Sequence, residues 1–208
     1  MWAGRMVLMA VFASSVCLAE EAEQTRKVLE SMVAKGIAIL KDPQLDAAGK
    51  QKQFDGLLEE SGHLELMAKL ALGKNGWESL SEADRPAFVK SFTDVVKRSY
   101  YDKLAEQDAA TFATEYTRNE SLGKGKRALT AVMKSANTQI EVIYKLCLRE
   151  ERWGIYDVEV EGISLVASYR AQFDDYLAKH APTELIAELK KGGGEFAAKR
   201  DAPTPKKN

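Results

Sequence analysis

Cysteine, histidine and proline are scarce: the 208 residues include two Cys, two His and five Pro. Neither sign of charge dominates, with 30 Lys and Arg against 31 Asp and Glu. So even a balance supplies no broad basic face to displace counterions, which sets nucleic acid aside as a partner. Two cysteines cannot staple a chain of this length as small secreted domains are stapled, so a packed core has to hold the fold. Long apolar runs are also missing, apart from one at the N-terminus that falls short of the ~20 residues needed to span a bilayer. What the chain does have, 45% hydrophobic residues, suffices for one medium-sized domain.

The N-terminal run reads as an export signal. Arg5 supplies a positive charge, Met6 to Ala13 is unbroken apolar sequence, and Ser14-Ser15-Val16-Cys17-Leu18-Ala19 leads into Glu20-Glu21. Cys17 and Ala19 stand at the −3 and −1 places of a cut after about Ala19, as a secretory signal peptide requires. An uncleaved anchor is the alternative. Val16 before Cys17 argues against a lipoprotein signal. Residues 1–19 are therefore expected to be removed, leaving a domain over 20–191, a flexible tail over 192–208 and Cys147 as the one remaining thiol. A periplasmic location follows.

Along the mature chain, Val28, Leu29, Met32, Val33, Ile37 and Leu40 recur every three or four residues, one face of a helix. Asp42-Pro43 stops it. Helices are predicted over about Asp46 to Leu58 and around Leu64 to Leu72, the latter ended by Gly73 with a turn to Gly76. Ser81-Glu82-Ala83-Asp84 caps a long helix to about Glu106, with Pro86 tolerated near its start. Phe88, Phe92, Val96, Tyr100 and Leu104 recur every four residues along it, a slowly winding apolar seam.

Beyond Gln107 the period changes to two. Phe112 and Tyr116, then Leu129, Ala131 and Met133, then Ile140, Val142, Tyr144, Leu146 and Leu148 alternate with polar residues, and Trp153 to Val160 adds a further strand. Gly123 to Lys126 and Ser135-Ala136-Asn137 supply turns. Ile163 to Lys179 and Thr183 to Lys190 return to the helical period. The expected fold class is α+β: an antiparallel sheet of about four strands covered by N-terminal and C-terminal helices.

Catalytic patterns are missing. Gly162-Ile163-Ser164-Leu165-Val166 lacks the second glycine of a hydrolase elbow, so Ser164 reads as a helix N-terminal residue. His63 and His180 have no acids or cysteines at metal-ligand spacing, and Cys147 has no base beside it; all three read as structural. Gly192-Gly193-Gly194 is followed by Glu195, which makes it a linker and not a phosphate loop. Glu150-Glu151 reads as solvated charge. Lys124, Lys126 and Arg127 form one basic cluster, read as a solvated hairpin turn ahead of a docking point. No metal, cofactor or enzyme activity is expected.

The stretch Trp153-Gly154-Ile155-Tyr156-Asp157-Val158-Glu159-Val160-Glu161-Gly162-Ile163-Ser164-Leu165-Val166-Ala167-Ser168-Tyr169-Arg170-Ala171-Gln172-Phe173 closely resembles the signature of the MlaC family, the periplasmic toluene-tolerance or phospholipid-binding proteins. Met67-Ala68, Leu72-Gly73, Trp77, Phe88, Phe92, Val96 and Tyr100 follow that family's order of small, aromatic and aliphatic positions, and the resemblance covers about residues 25–190. It implies a twisted antiparallel sheet and helices enclosing an apolar pocket for phospholipid tails. It also implies a shuttle between an outer-membrane lipoprotein complex and an inner-membrane ABC transporter of the Mla type, maintaining outer-membrane lipid asymmetry. The seam Phe88, Phe92, Val96, Tyr100 and Leu104 is placed across such a pocket from Tyr144, Tyr156, Val158, Val166, Tyr169 and Phe173. Arg170 is assigned to the headgroup or a partner. A monomer is expected.

Two readings compete with the carrier. A periplasmic chaperone would hold an apolar polypeptide segment in the same groove. A small-molecule enzyme ranks last, because the expected pocket lacks an acid–base pair.

Overall fold

A computed structural model of the chain describes residues 4–105, 113–134, 139–193 and Phe196. Six helices and five strands follow in the order α1 (Gly4–Lys41), α2 (Ala47–Ser61), α3 (Leu64–Ser79), α4 (Arg85–Ala105), β1 (Ala113–Ser121), β2 (Lys126–Lys134), β3 (Gln139–Arg149), β4 (Arg152–Val160), β5 (Ile163–Ser164), α5 (Leu165–Leu177) and α6 (Pro182–Lys190). The helix read from Glu20 is continuous with the residues before it, so α1 runs through the expected cut. Phe112 and the turn at Ser135-Ala136-Asn137 lie outside the described residues.

Local chemistry explains the helix boundaries. The Asp46 carboxylate accepts the Gly49 N–H at 2.8 Å and starts α2. Gly73 does not end α3 as its sequence suggests. It adopts φ +72° and ψ 171°, breaks the helix for one residue, and the helix resumes to Ser79. A Cβ there would stand 2.4 Å from the Arg170 guanidinium carbon, so the left-handed backbone and the close approach both call for glycine. Ser81 and Asp84 cap each other ahead of α4.

The sheet is an antiparallel meander in the order β1-β2-β3-β4-β5. One strand more than expected is present, because Ile163 and Ser164 pair with Val160 and Glu159 before α5 begins. Glu150 and Glu151 form the β3–β4 turn at φ 49° and 59°, the left-handed pair that a two-residue hairpin requires. Opposite Lys145 and Leu146, β4 carries an extra residue: Lys145 faces Asp157 and Leu146 faces Ile155, leaving Tyr156 as the bulge.

Packing divides into a helical core and a sheet core. Residues of α3, α4, α5 and α6 bury one another, including Met67, Leu72, Phe88, Phe92, Tyr169, Phe173 and Leu185. Phe196 joins them, its ring 5.2 Å from that of Phe173, so packing continues past the expected domain end at 191. The inward face of the sheet buries Leu129, Ala131, Val142, Tyr144, Leu146, Trp153, Ile155 and Val158 against Leu29 of α1. Lys97, buried on α4, bonds Glu59 of α2.

Two polar ties fix helices to the sheet. Arg127 is not a solvated hairpin charge: it is 4% exposed and gives Nε to Asn119 Oδ1 at 2.8 Å. Asn119 in turn donates to Ala22 O and Thr25 Oγ1 on α1, and Glu21 stands 3.8 Å from the Arg127 guanidinium. Period-two alternation puts Arg127 on the Leu129 face, which is why a basic residue is buried there. At the opposite edge of the sheet, the His63 amide donates to Ile155 O at 2.7 Å. Arg152 can only donate, so His63 Nδ1 accepts from it at 3.1 Å and Nε2–H donates to Cys147 O at 3.1 Å.

Two expectations follow. Glu151→Gly relieves a left-handed side chain and raises stability by roughly 0.5 kcal/mol or more, read as a higher urea midpoint at unchanged slope. Burial, followed by the Arg152 charge, holds the His63 imidazole below its ordinary value. A lowered folded-state value means that the unfolded chain binds the proton more readily, so this contribution is full above the unfolded value and is lost as pH falls below about 6.5. Urea titrations of wild type and His63→Gln across that range should show the wild type losing stability more steeply.

Candidate functional site

The inward face of the sheet is where the packing is incomplete. Its centre is closed, with Leu129 and Leu146 at 1% and 0% exposure. Around that centre Val28, Met32 and Val33 of α1, Tyr116 of β1, Met133 of β2, Ile140 of β3 and Val160 of β4 are only partly buried. α1 lies across β1, β2 and β4 with Tyr100 of α4 beside it, and a cylinder about 10 Å wide covers only about two strands spaced ~4.8 Å apart. The apolar rim is the consequence.

The helical core is the contrary case. Phe88, Phe92, Tyr169 and Phe173 are fully buried, and their rings meet at 5.0 to 6.0 Å, several edge to face. Val96 is buried with them and Val166 packs against them from α5. Five of the seam and α5 positions read from the sequence thus sit in one dense cluster, with Val166 at its margin. Tyr144 and Val158 sit in the other cluster, on the sheet. Tyr100 is partly buried and packs against the helical core, the sheet core and the α2 cluster of Phe54 and Leu57 alike. Leu104 continues α4, and its side chain lies outside the described residues.

Two expected site residues are placed elsewhere. Strict alternation puts Tyr156 on the same face as Val158; the bulge breaks that phase, brings Ile155 inward and turns Tyr156 to the outer face, where Lys126 Nζ lies 5.5 Å from the ring centre. Arg170 lies over the Gly73 break, 3.5 Å from both Leu70 O and the Asp174 carboxylate. Leu129, Leu146, Trp153 and Ile155, which the sequence reading did not single out for the pocket, form the middle of the sheet face. The alternation of β2 and β3 was the signal for the first two; the bulge hid Ile155.

The remaining polar groups are occupied in holding the fold. Ser164 donates to Asp157 Oδ2 at 2.7 Å and accepts the Ala167 N–H at 3.1 Å, an N-cap and not a nucleophile. Asp157, buried, also takes the Val166 N–H and the Lys145 ammonium. Burial pushes the Cys147 thiol up, away from the reactive thiolate, and the Tyr144 phenol up as well. Among the described residues no group of three or more His, Cys, Asp or Glu could hold a metal ion. A cleft of about 80 Å³ opens between α1 and β1, lined by Arg26, Tyr116, Thr117, Arg118, Asn119 and Leu129.

The MlaC protein family pattern matches residues 30–191, a span that takes in all of the sheet and α2 to α6. The chain belongs to the MlaC family. Its fold is also that of the phospholipid-binding protein from Ralstonia solanacearum, solved in complex with a phospholipid: TM-score 0.71 at 17% identity, covering 82% of this chain and 97% of that one. No curated protein matches the chain. The MlaC match takes in the rim residues Met32 to Val160 and both cores apart from Leu29 and Phe196.

The two cores of this MlaC-family domain should respond differently to truncation. Phe92→Ala, in the closed helical core, is expected to lower stability by about 3–5 kcal/mol. Met133→Ala, on the half-buried rim, should lower it by less than about 2 kcal/mol. Urea unfolding of both variants measures the difference.

Proposed function

We propose that this protein is a non-enzymatic phospholipid carrier of the periplasm. On this reading it passes lipid between an outer-membrane complex and an inner-membrane ABC transporter of the Mla type, as a monomer released from its signal peptide. The observation that carries the reading is the sheet's apolar face in an MlaC-family chain, partly roofed by α1 and rimmed by half-buried hydrophobic side chains. Acyl tails have their place there, against Tyr100, Tyr144 and Val158. The helical set of Phe88, Phe92, Val96, Val166, Tyr169 and Phe173 stands behind Tyr100 as the wall that keeps its shape.

Each buried methylene contributes about 0.8 kcal/mol relative to water, so two sixteen-carbon tails amount to roughly 25 kcal/mol of gross transfer free energy. Release into water is therefore closed to such a cargo. Transfer from protein to membrane exchanges one apolar surrounding for another, the two free energies nearly cancel, and handover needs no catalytic group. The cleft at rest holds about 80 Å³, against roughly 300–1,000 Å³ for ligand pockets. On this reading, loading parts α1 from the sheet.

Native mass spectrometry of the protein purified from periplasmic extract without detergent, followed by lipid extraction, tests the reading. A stoichiometric phospholipid adduct is the expected result. A bare protein mass that stays bare after incubation with phospholipid vesicles would overturn it, and a retained peptide would favour a chaperone.

A further inference from the structure

Gly73, Trp77 and Arg170 belong to the stretches on which the family resemblance rests, and the sheet's apolar rim uses none of them. Trp77 is half-buried on α3 beside the helical core. Its ring collects two cations: Lys69 Nζ of α3 lies 5.2 Å from the ring centre, and the Arg85 guanidinium of α4 lies 5.3 Å from it. Glu65 stands four residues before Lys69, the spacing at which helical ion pairs form. Lys69 extends to the indole instead, and among the described residues no carboxylate pairs with Lys69 or Arg85. Arg85 Nε is buried without a hydrogen-bond partner among those residues. Two like charges held on one ring repel each other, and a guanidinium with unspent donors is suited to an oxyanion.

A third cation joins through the break in α3. Gly73 lies four residues after Lys69 and four before Trp77, and the Arg170 guanidinium of α5 occupies the space that a side chain at Gly73 would need. Arg170 stays 47% exposed and shares Asp174 at 3.5 Å. Lys74 reaches Glu78 only at 4.0 Å. Apolar surface accompanies the charge, because Leu70, the residue after Lys69, is 37% exposed. An acidic peptide would satisfy the cations and leave the indole and Leu70 without an apolar partner. The headgroup region of an anionic bilayer serves both: its phosphates meet the cations, and an indole, apolar in body and polar at one edge, partitions to that depth. The stems of Lys69 and Arg85 add apolar area below their charged heads.

We infer that the Trp77 strip of α3, with Lys69, Arg85 and Arg170, is a docking surface for an anionic lipid membrane. None of these residues belongs to the sheet's apolar rim or lines the cleft between α1 and β1. Docking and carriage are therefore separable, and each has its own readout.

The test is flotation of the protein, purified from periplasmic extract, with vesicles of mixed phosphatidylcholine and phosphatidylglycerol, and with neutral vesicles of phosphatidylcholine alone. A Lys69→Gln/Arg85→Gln variant, checked by far-UV circular dichroism, is run beside the wild type. The wild type is expected to float with the anionic vesicles at low salt, to be released as salt screens the surface, and to stay behind with the neutral ones. The variant should bind the anionic vesicles about tenfold or more weakly. Phosphatidylglycerol brominated on its acyl chains should quench the wild-type tryptophan emission and quench a Trp77→Phe variant less, since Trp153 is only 6% exposed. Equal binding of wild type and double variant, or no flotation with anionic vesicles, would overturn the docking surface. Carriage, read as lipid retained after the vesicles are removed, would still stand. Capture of the wild type by a glutamate-rich peptide and not by the vesicles would make the strip a protein-docking site and overturn the membrane assignment. Should the double variant fail to fold, Lys69→Gln on the exposed side of α3 gives the same comparison.

Discussion

The sheet has one apolar face that α1, with Tyr100 of α4 beside it, covers only in part, and most of what is distinctive in the molecule follows from that mismatch. Buried apolar area drives folding, so the helix must dock; the sheet is wider than that helix can roof, so a rim is left. Docking is fixed at one end by polar groups. Arg127 and Asn119 bind Glu21, Ala22 and Thr25, and loss of a partner would strand a buried charge, a penalty on the order of 3–5 kcal/mol. Further along, α1 packs through Val28, Met32 and Val33, and its far end is tied to α2, where Lys35 pairs with Glu60 at 2.7 Å and Lys50 donates to Leu40 O at 2.8 Å.

Rigidity comes from elsewhere. Phe88, Phe92, Tyr169, Phe173 and Phe196 interlock across α4, α5 and the residues after α6, and such ring contacts add ~0.5–1.5 kcal/mol each beyond area burial. Asp157 ties the start of α5 to β4 through Ser164 and the Val166 amide. His63 ties the α2–α3 connection to the edge of β4. These bonds hold the helical layer against β4 and β5, away from the α1–β1 seam.

Much of this was legible in the sequence because the two periodicities are clean. The four-residue seam from Phe88 gave α4, the alternation from Ile140 to Leu148 gave β3, and the stretch from Trp153 to Phe173 carried the family. What escaped depends on backbone geometry that residue type does not announce. Gly73 reads as a helix stop, yet a helix can cross a single left-handed residue when a side chain, here Arg170, satisfies the break. Tyr156 reads as inward because alternation is assumed unbroken; one bulge residue reversed the phase of half a strand. Arg127 reads as solvated because it follows two lysines in a turn, although its strand parity places it under α1. The division of the seam into a closed core and a half-buried rim was beyond reach, since hydrophobic character is the same in both.

An apolar face that is closed at rest is also what the energetics of cavities favour. Empty space in a protein interior forfeits about 24 cal/mol per Å³. A standing dry cavity of about 500 Å³, in the middle of the range for ligand pockets, would forgo roughly 12 kcal/mol. That equals the whole stability of a typical domain, about 5–15 kcal/mol. Burying the apolar face against the chain's own helices avoids most of that cost. On the carrier reading proposed above, the self-burial lost on opening is subtracted from the affinity for cargo, so that a closed resting face and a weak hold on lipid become two consequences of the same partly covered sheet.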